Sequence, residues 1–295
     1  MTDWTRVVDA HGAIGRVPVL LDQVEREDAP EAWEELWDRL CLHGETVSPA
    51  SFAAVPRLAV LARRSAQALE LAGTIMRGTL QGSGNDDLLV GYADALALLR
   101  ELVDQQLRAG PAGYNRVFCD LLALEGQYHW SVALEDFTDD FYAVICPHCS
   151  VEVTVAVGDY GCYSAVRDWD LGDIDRRALR PASAEELADP GRWMHATAVR
   201  DGQLQLAEGI RHLFGRVECP RCASAFSLAE AYMIASRPGS GPSTDWLRGT
   251  IRAVSTAPTG RDPSTSTSRG PGYSMRPHGT SSACGSGRLR PRPSS

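Results

Sequence analysis

The sequence predicts a mainly α-helical fold that gives way to a smaller β-rich region and ends in a disordered tail. Three observations predict it. Apolar residues recur at helical spacing from about residue 30 to 125. Two cysteine pairs of one design, Cys146-Pro147-His148-Cys149 and Cys219-Pro220-Arg221-Cys222, each lie between runs of strand character. Of the 59 residues 237–295, 36 are Ser, Gly, Pro or Thr, too polar a stretch to bury the apolar area that ordering requires.

The helical part is read element by element. Residues 1–29 form a lead-in segment in which Val17, Val19, Leu20 and Leu21 open the first helix. Trp33, Leu36, Trp37 and Leu40 fall at i, i+3, i+4 and i+7, the stripe of an amphipathic helix. Pro30 suits its first turn and Gly44 its end, beyond His43. Ser48-Pro49 caps and starts the next helix, through Phe52, Val55, Leu58, Leu61 and Ala62, with a kink expected at Pro56. A third helix spans 65–79 with Ala68, Leu69, Ala72, Ile75 and Met76. The loop Gln81-Gly82-Ser83-Gly84-Asn85 follows. Asp86 or Asp87 then caps a long helix carrying Leu88, Leu89, Tyr92, Leu96, Leu99, Leu102 and Val103. Pro111-Ala112-Gly113 breaks it, and a fifth helix over 114–125 carries Val117, Phe118, Leu121, Leu122 and Leu124.

Successive short amphipathic helices with tight links are the pattern of an α-solenoid. The stretch from Trp33 to Ala62, WEELWDRLCLHGETVSPASFAAVPRLAVLA, resembles HEAT-like repeat proteins of bacteria. There a Trp-rich helix, a His-Gly turn and a second helix containing Ala and Pro recur. The resemblance covers residues 30–134, about a third of the chain. It implies an adaptor or immunity-type role and brings no catalytic residues with it.

Near residue 138 the period changes. Phe141-Tyr142-Ala143-Val144-Ile145 leads into the first cysteine pair, and Val151 to Val157 alternates valine with smaller or polar residues, a strand with one buried face. Residues 159–192 read as loop with a short helix near 183–188, and 193–214 as one helix with Trp193, Leu204, Leu206, Ile210, Leu213 and Phe214. Arg216-Val217-Glu218 enters the second cysteine pair and Ala225-Phe226-Ser227-Leu228 leaves it. The expected domains are therefore 1–134 helical, 135–234 β-rich with a helical insertion, and 235–295 disordered.

Two thiols three positions apart let one tight turn aim both sulfurs at one centre. Two such turns complete the four-thiolate tetrahedron of structural zinc. Cys146, Cys149, Cys219 and Cys222 are the candidate ligands, and strand, knuckle and strand repeated twice is the layout of a zinc ribbon. The 69 residues between Cys149 and Cys219 exceed the usual spacing of about 15–20. The helical insertion explains the excess, and loop-closure cost grows only logarithmically with length. His148, between the first two thiols, is an alternative ligand, although a residue inside a knuckle usually points away from the centre. Cys41 and Cys119 lie in helical stretches as small hydrophobes, Cys162 in a loop, and Cys284 in the tail.

Other chemistries fare worse. Cys-Pro-His-Cys is also the active-site sequence of periplasmic disulfide oxidoreductases, whose first thiolate sits at a helix N-terminus. Here a valine strand follows instead, and a second pair stays unexplained. The acidic runs Glu34-Glu35, Asp136 with Asp139-Asp140, and Asp168, Asp170, Asp173 and Asp175 lack calcium-loop spacing. His43, His129, His195 and His212 are scattered, and no nucleophile-elbow, phosphate-loop or zinc-protease motif occurs. The aromatic set Tyr128, His129, Trp130, Phe137, Phe141 and Tyr142 reads as the seam between helical and β-rich parts, with a partner-binding patch as the alternative.

Charge bears on partners. The net charge is −9, all 29 basic residues are arginines, and residues 237–295 carry nine of them against Asp245 and Asp262, a local +7. That leaves −16 on residues 1–236, which disfavours a phosphate backbone and favours a basic protein partner. The N-terminus lacks the features of a secretion signal and no apolar run is long enough for a membrane span, so a cytoplasmic location is expected. The expected role is a non-catalytic protein-binding or adaptor module with a structural Zn2+. The alternatives are a nucleic-acid-binding ribbon protein and a dithiol oxidoreductase.

Overall fold

The computed structural model describes residues 3–42, 46–78, 90–135, 141–159, 161–166 and 175–235. The chain divides into two units: Met1–Phe137 with Ser183–Arg211, and Thr138–Ala182 with His212–Ser295. The helical part of the insertion between the cysteine pairs, Ser183–Arg211, thus groups with the N-terminal helices. The expected tail, the 81–85 loop, the Asp86 or Asp87 cap and the Gly44 stop lie outside the described residues.

The first unit is helical. Its helices are α1 Arg16–Glu27, α2 Pro30–Leu40, α3 Pro49–Leu61, α4 Ala66–Arg77, α5 Ala93–Arg108, α6 Tyr114–Leu124, α7 Tyr128–Ala133, α8 Gly191–Arg200 and most of α9 Leu204–Leu213. Consecutive helices pack as pairs, α1 with α2, α3 with α4 and α5 with α6. Odd helices also meet odd ones, α1 on α3 and α3 on α5, while α4 meets α2 and α6. A short antiparallel hairpin, β1 Cys41–Leu42 with β2 Thr46–Val47, joins α2 to α3 where the sequence suggested only a turn.

Local chemistry explains the helix ends. Pro30 occupies the first turn of α2, and Trp33 Nε1 donates to Asp28 Oδ1 at 2.8 Å. Ala32, Trp33, Leu36 and Leu40 are buried while Trp37 is half-buried, so the stripe faces inward with a slight rotation. Ser48 and Ser51 form a capping box at α3, in which the Ser48 N–H donates to Ser51 Oγ at 2.9 Å. The kink expected at Pro56 does not divide the helix, whose span runs unbroken from Pro49 to Leu61. Nine of its residues are buried, including Phe52, Val55, Leu58 and Leu61. Burying four such large side chains at about 2 kcal/mol each outweighs the roughly 3 kcal/mol that an internal proline costs.

An ionic network ties the lead-in segment to α2. Asp9 accepts the His11 and Ala13 N–H groups and pairs with Arg39 at 2.7 Å. Arg39 also reaches Glu35 at 2.8 Å. The guanidinium of Arg16, with that of Arg39 behind it, holds the Glu35 carboxyl down at about 2.

The α4–α6 contact is close because Gly73 has no side chain. A Cβ there would lie 2.4 Å from Asp120 Cγ. Asp120 is buried on α6 and pairs with Arg77 Nε at 2.9 Å. Burial pushes its carboxyl up to about 7 against the pull of Arg77.

The insertion is not one helix over 193–214. Asp201-Gly202-Gln203 separates α8 from α9, with Gly202 at φ 73°. Gly202 N donates to Val199 O at 3.1 Å and Gln203 N to Ala198 O at 2.8 Å, the Schellman pattern that ends a helix. Trp193 of α8 stacks on Phe118 of α6, with centroids 6.4 Å apart, and Phe118 stacks on Tyr114 at 6.0 Å. The Tyr114 hydroxyl donates to Asp201 at 2.8 Å, and Arg200 pairs with Asp104 of α5 at 2.7 Å. The short helix expected near 183–188 is only a turn, in which the Ser183 N–H donates to Glu186 Oε2 at 2.8 Å.

The second unit holds an antiparallel meander β3 Phe141–Ile145, β4 Glu152–Gly158, β5 Gly161–Ala165 and β6 Arg177–Ala178. The last two lie in a stretch that the sequence presented as loop. Val153 faces Val144 and Val155 faces Tyr142 across the β3–β4 pair, and all four are buried. A hairpin of β7 Arg216–Glu218 and β8 Ala225–Ser227 leads into α10 Leu228–Ala235, which packs on β3. Tyr232 of α10 meets Tyr142 edge-on at 5.8 Å. Arg180 and Arg216 exchange backbone hydrogen bonds at 3.0 and 2.9 Å, and the Ser164 hydroxyl donates to Glu218 O at 2.7 Å. No helix among the described residues is long and apolar enough to cross a membrane.

Gly73→Ala is expected to lower stability by about 2 kcal/mol, the scale of overpacking a close contact. Asp120→Ala in the same chain should recover part of the loss, since it removes the carboxylate that the new methyl strikes. Urea midpoints of the two single variants and the double variant measure this. Equal midpoints for wild type and Gly73→Ala would contradict the close α4–α6 contact.

Candidate metal centre

The first knuckle begins where β3 ends. Cys146 N donates to Val151 O at 2.9 Å, and Ser150 N donates back to Cys146 O at 2.9 Å. The second begins where β7 ends, with the same two bonds. Cys219 N donates to Ser224 O at 2.9 Å, and Ala223 N to Cys219 O at 2.8 Å. In both turns the residue after the second cysteine is left-handed, Ser150 at φ 58° and Ala223 at φ 56°. The backbone turns sharply at that residue, so the two thiols of each pair project to the same side.

The two knuckles meet sulfur to sulfur. Cys146 Sγ is 3.8 Å from Cys222 Sγ, and Cys149 Sγ is 3.7 Å from Cys219 Sγ. All four sulfurs lie within 4.8 Å of one another. A tetrahedral ion with metal–sulfur bonds of about 2.3 Å has ligand atoms about 3.8 Å apart. A disulfide would need about 2.05 Å, so these are thiols set around a point. Cys146 and Cys219 are buried, while Cys149 and Cys222 are exposed.

The electrostatics follow from crowding four acidic groups. Ser224, through its hydroxyl and its N–H, pulls the Cys222 thiol down to about 6. The Val151 N–H favours a thiolate at Cys149, but desolvation and the three neighbouring sulfurs push that thiol up to about 12. Desolvation likewise raises Cys219. Four thiolates this close repel one another, and a divalent cation among them would favour loss of the last protons. The arrangement suits a metal ion bound by four thiolates.

The sequence candidates sort accordingly. The four cysteines of the two pairs come together, and among the described residues no other group of His, Cys, Asp or Glu gathers three ligand atoms. His148 is exposed on the knuckle and is not one of the four. Cys41 and Cys119 are buried, and burial pushes the Cys41 thiol up to about 12. Cys162 lies in β5, where it pairs with Val157, and Cys284 lies outside the described residues. Glu35 is taken by Arg16 and Arg39, and Asp175 by Arg177 at 2.9 Å. Asp136, Asp139, Asp140, Asp168, Asp170, Asp173, His43 and Phe137 lie outside the described residues. His129, His195 and His212 sit on α7, α8 and α9. Ser224, outside every sequence motif considered above, completes the second turn. Its place two residues after the second thiol of a turn is the signal that would have found it.

No protein family, curated protein or solved structure matches this chain.

Ala223→Gly is expected to stabilise the protein by about 1 kcal/mol, because glycine has no penalty in the left-handed conformation that alanine is forced to adopt. A rise in urea midpoint is the outcome to look for. A fall would mean that the knuckle does not keep this backbone.

Proposed function

We propose that this chain is a non-catalytic protein-binding module, an adaptor, that joins a HEAT-like helical solenoid to a zinc ribbon whose structural Zn2+ is held by Cys146, Cys149, Cys219 and Cys222. The observation that carries the metal part is the pair of cross-knuckle separations, 3.7 and 3.8 Å, which match the edge of a zinc–thiolate tetrahedron. Four sulfurs fill the tetrahedron and leave no open position for a substrate, which favours a structural over a catalytic ion. Zinc fits because it has no geometric preference beyond four soft ligands and no redox chemistry of its own. Hairpins enter and leave each knuckle, β3 to β4 and β7 to β8, in the layout of a ribbon.

The pairwise packing in the first unit supports the solenoid part. The α3–α4 pair lies against the α5–α6 pair, odd helix on odd and even on even, which is how helical repeats propagate. Such arrays bind partners over extended surfaces. With −16 carried by residues 1–236, the partner that fits is a basic protein.

Metal analysis of the purified chain should find about one zinc per molecule, and Cys219→Ser should lose it. A well-folded wild type without metal overturns this reading. Partner capture should weaken severalfold as salt is raised from about 0.05 to 0.5 M, because the attraction is screened beyond a few ångströms at the higher value. Capture that ignores salt would argue against a basic partner.

A further inference from the structure

The four sulfurs are not equivalent. Cys149 and Cys222 are exposed, Cys146 and Cys219 buried. Each exposed sulfur has a buried sulfur of the opposite knuckle beside it, Cys149 with Cys219 at 3.7 Å and Cys222 with Cys146 at 3.8 Å. An accessible nucleophile with a sheltered partner is present twice, related by the likeness of the two turns.

We infer that the centre is a peroxide-responsive switch, in which oxidation replaces the ion by two disulfides that cross from one knuckle to the other, Cys149–Cys219 and Cys146–Cys222. The inference rests on the reading of this centre as a metal–thiolate site. An exposed thiolate attacks one oxygen of the peroxide. The O–O bond breaks, the sulfur is oxidised to a sulfenic acid, and hydroxide leaves. The buried thiolate opposite then attacks that sulfur, the S–S bond forms, the S–O bond breaks, and a second hydroxide leaves. Each pair converts two thiolates and one peroxide into one disulfide and two hydroxides. Two peroxides consume all four ligands, and the dication departs.

The crossing pattern follows from what each turn already fixes. The bonds Cys146 N to Val151 O and Ser150 N to Cys146 O, with their counterparts at Cys219 and Ala223, hold each knuckle without using a sulfur. Pairing within a knuckle asks that turn to draw its own two sulfurs together. Pairing across needs the side chains to close from 3.7 or 3.8 Å to about 2.05 Å. The crossed product keeps both halves of the unit joined after the ion has gone. Cys41 and Cys119, both buried, serve as internal controls that stay reduced.

The test uses the full-length wild-type chain loaded with zinc. Hydrogen peroxide is titrated in while a chromophoric chelator reads released metal, and non-reduced peptides are then mapped by mass. The expected result is full release at about two equivalents of peroxide, with Cys149–Cys219 and Cys146–Cys222 peptides. Thiol reductant and added zinc should restore the bound ion. Retention of zinc under excess peroxide, peptides joined as Cys146–Cys149 and Cys219–Cys222, or sulfinic acids in place of disulfides would each overturn the switch while leaving the zinc reading intact. A chain that neither holds nor takes up zinc overturns both, and shows it before any peroxide is added.

Discussion

Four thiol groups gathered within 4.8 Å are an arrangement that a polypeptide does not hold for its own sake. They are poor hydrogen-bonding partners for one another, and their ionised forms repel. A cation at its centre would make the cluster favourable, and the geometry is compatible with one. Binding of a structural zinc contributes on the order of 10 kcal/mol. Closing a loop of the length that separates the two pairs costs about 4 kcal/mol. Under the zinc reading proposed above, the first magnitude is large enough to carry the second, so the second pair could lie so far along the chain. The rest of the second unit is arranged to present the sulfurs. β3 and β7 deliver the first cysteine of each pair, and a left-handed residue turns the chain back into β4 or toward β8.

The knuckles were legible in the sequence because their chemistry is local. A thiol, a proline, one variable residue and a second thiol specify a turn within four positions, and both turns took the shape that this implies. The first five amphipathic stripes were legible for the same reason, since helical burial repeats every three or four residues. Less was legible where structure depends on distant partners. β5 and β6 hold polar or small residues such as Ser164 and Arg177, and they are strands because β4 supplies a ladder to pair with. The β1–β2 hairpin has two residues per strand, too short to show a period. Pro56 marks a helix break by local rules, and those rules lost to burial on both sides of it.

The insertion shows a different limit. Its helices were anticipated, though as one rather than two, because the Schellman turn at Gly202 hides in a polar triplet that also suits an exposed helical face. Nothing in their periodicity said which unit they would join. That choice rests on Trp193 finding Phe118, and on Arg200 and Asp201 finding Asp104 and Tyr114, residues 75 to 96 positions away. Likewise the α4–α6 contact depends on a glycine matched to one carboxylate, and neither residue alone announces the match.

The route of the chain has a practical corollary for anyone wishing to isolate the second unit. It begins at Thr138, departs after Ala182 and resumes at His212, so no single cut releases it whole. Yet Arg180 and Arg216, which flank the detour, are joined backbone to backbone at 3.0 and 2.9 Å. The detour therefore starts and finishes at neighbouring points. Excising it and splicing the ends with a few flexible residues is a geometrically modest operation, and the minimal piece that keeps the four cysteines together is a stitched molecule rather than a fragment.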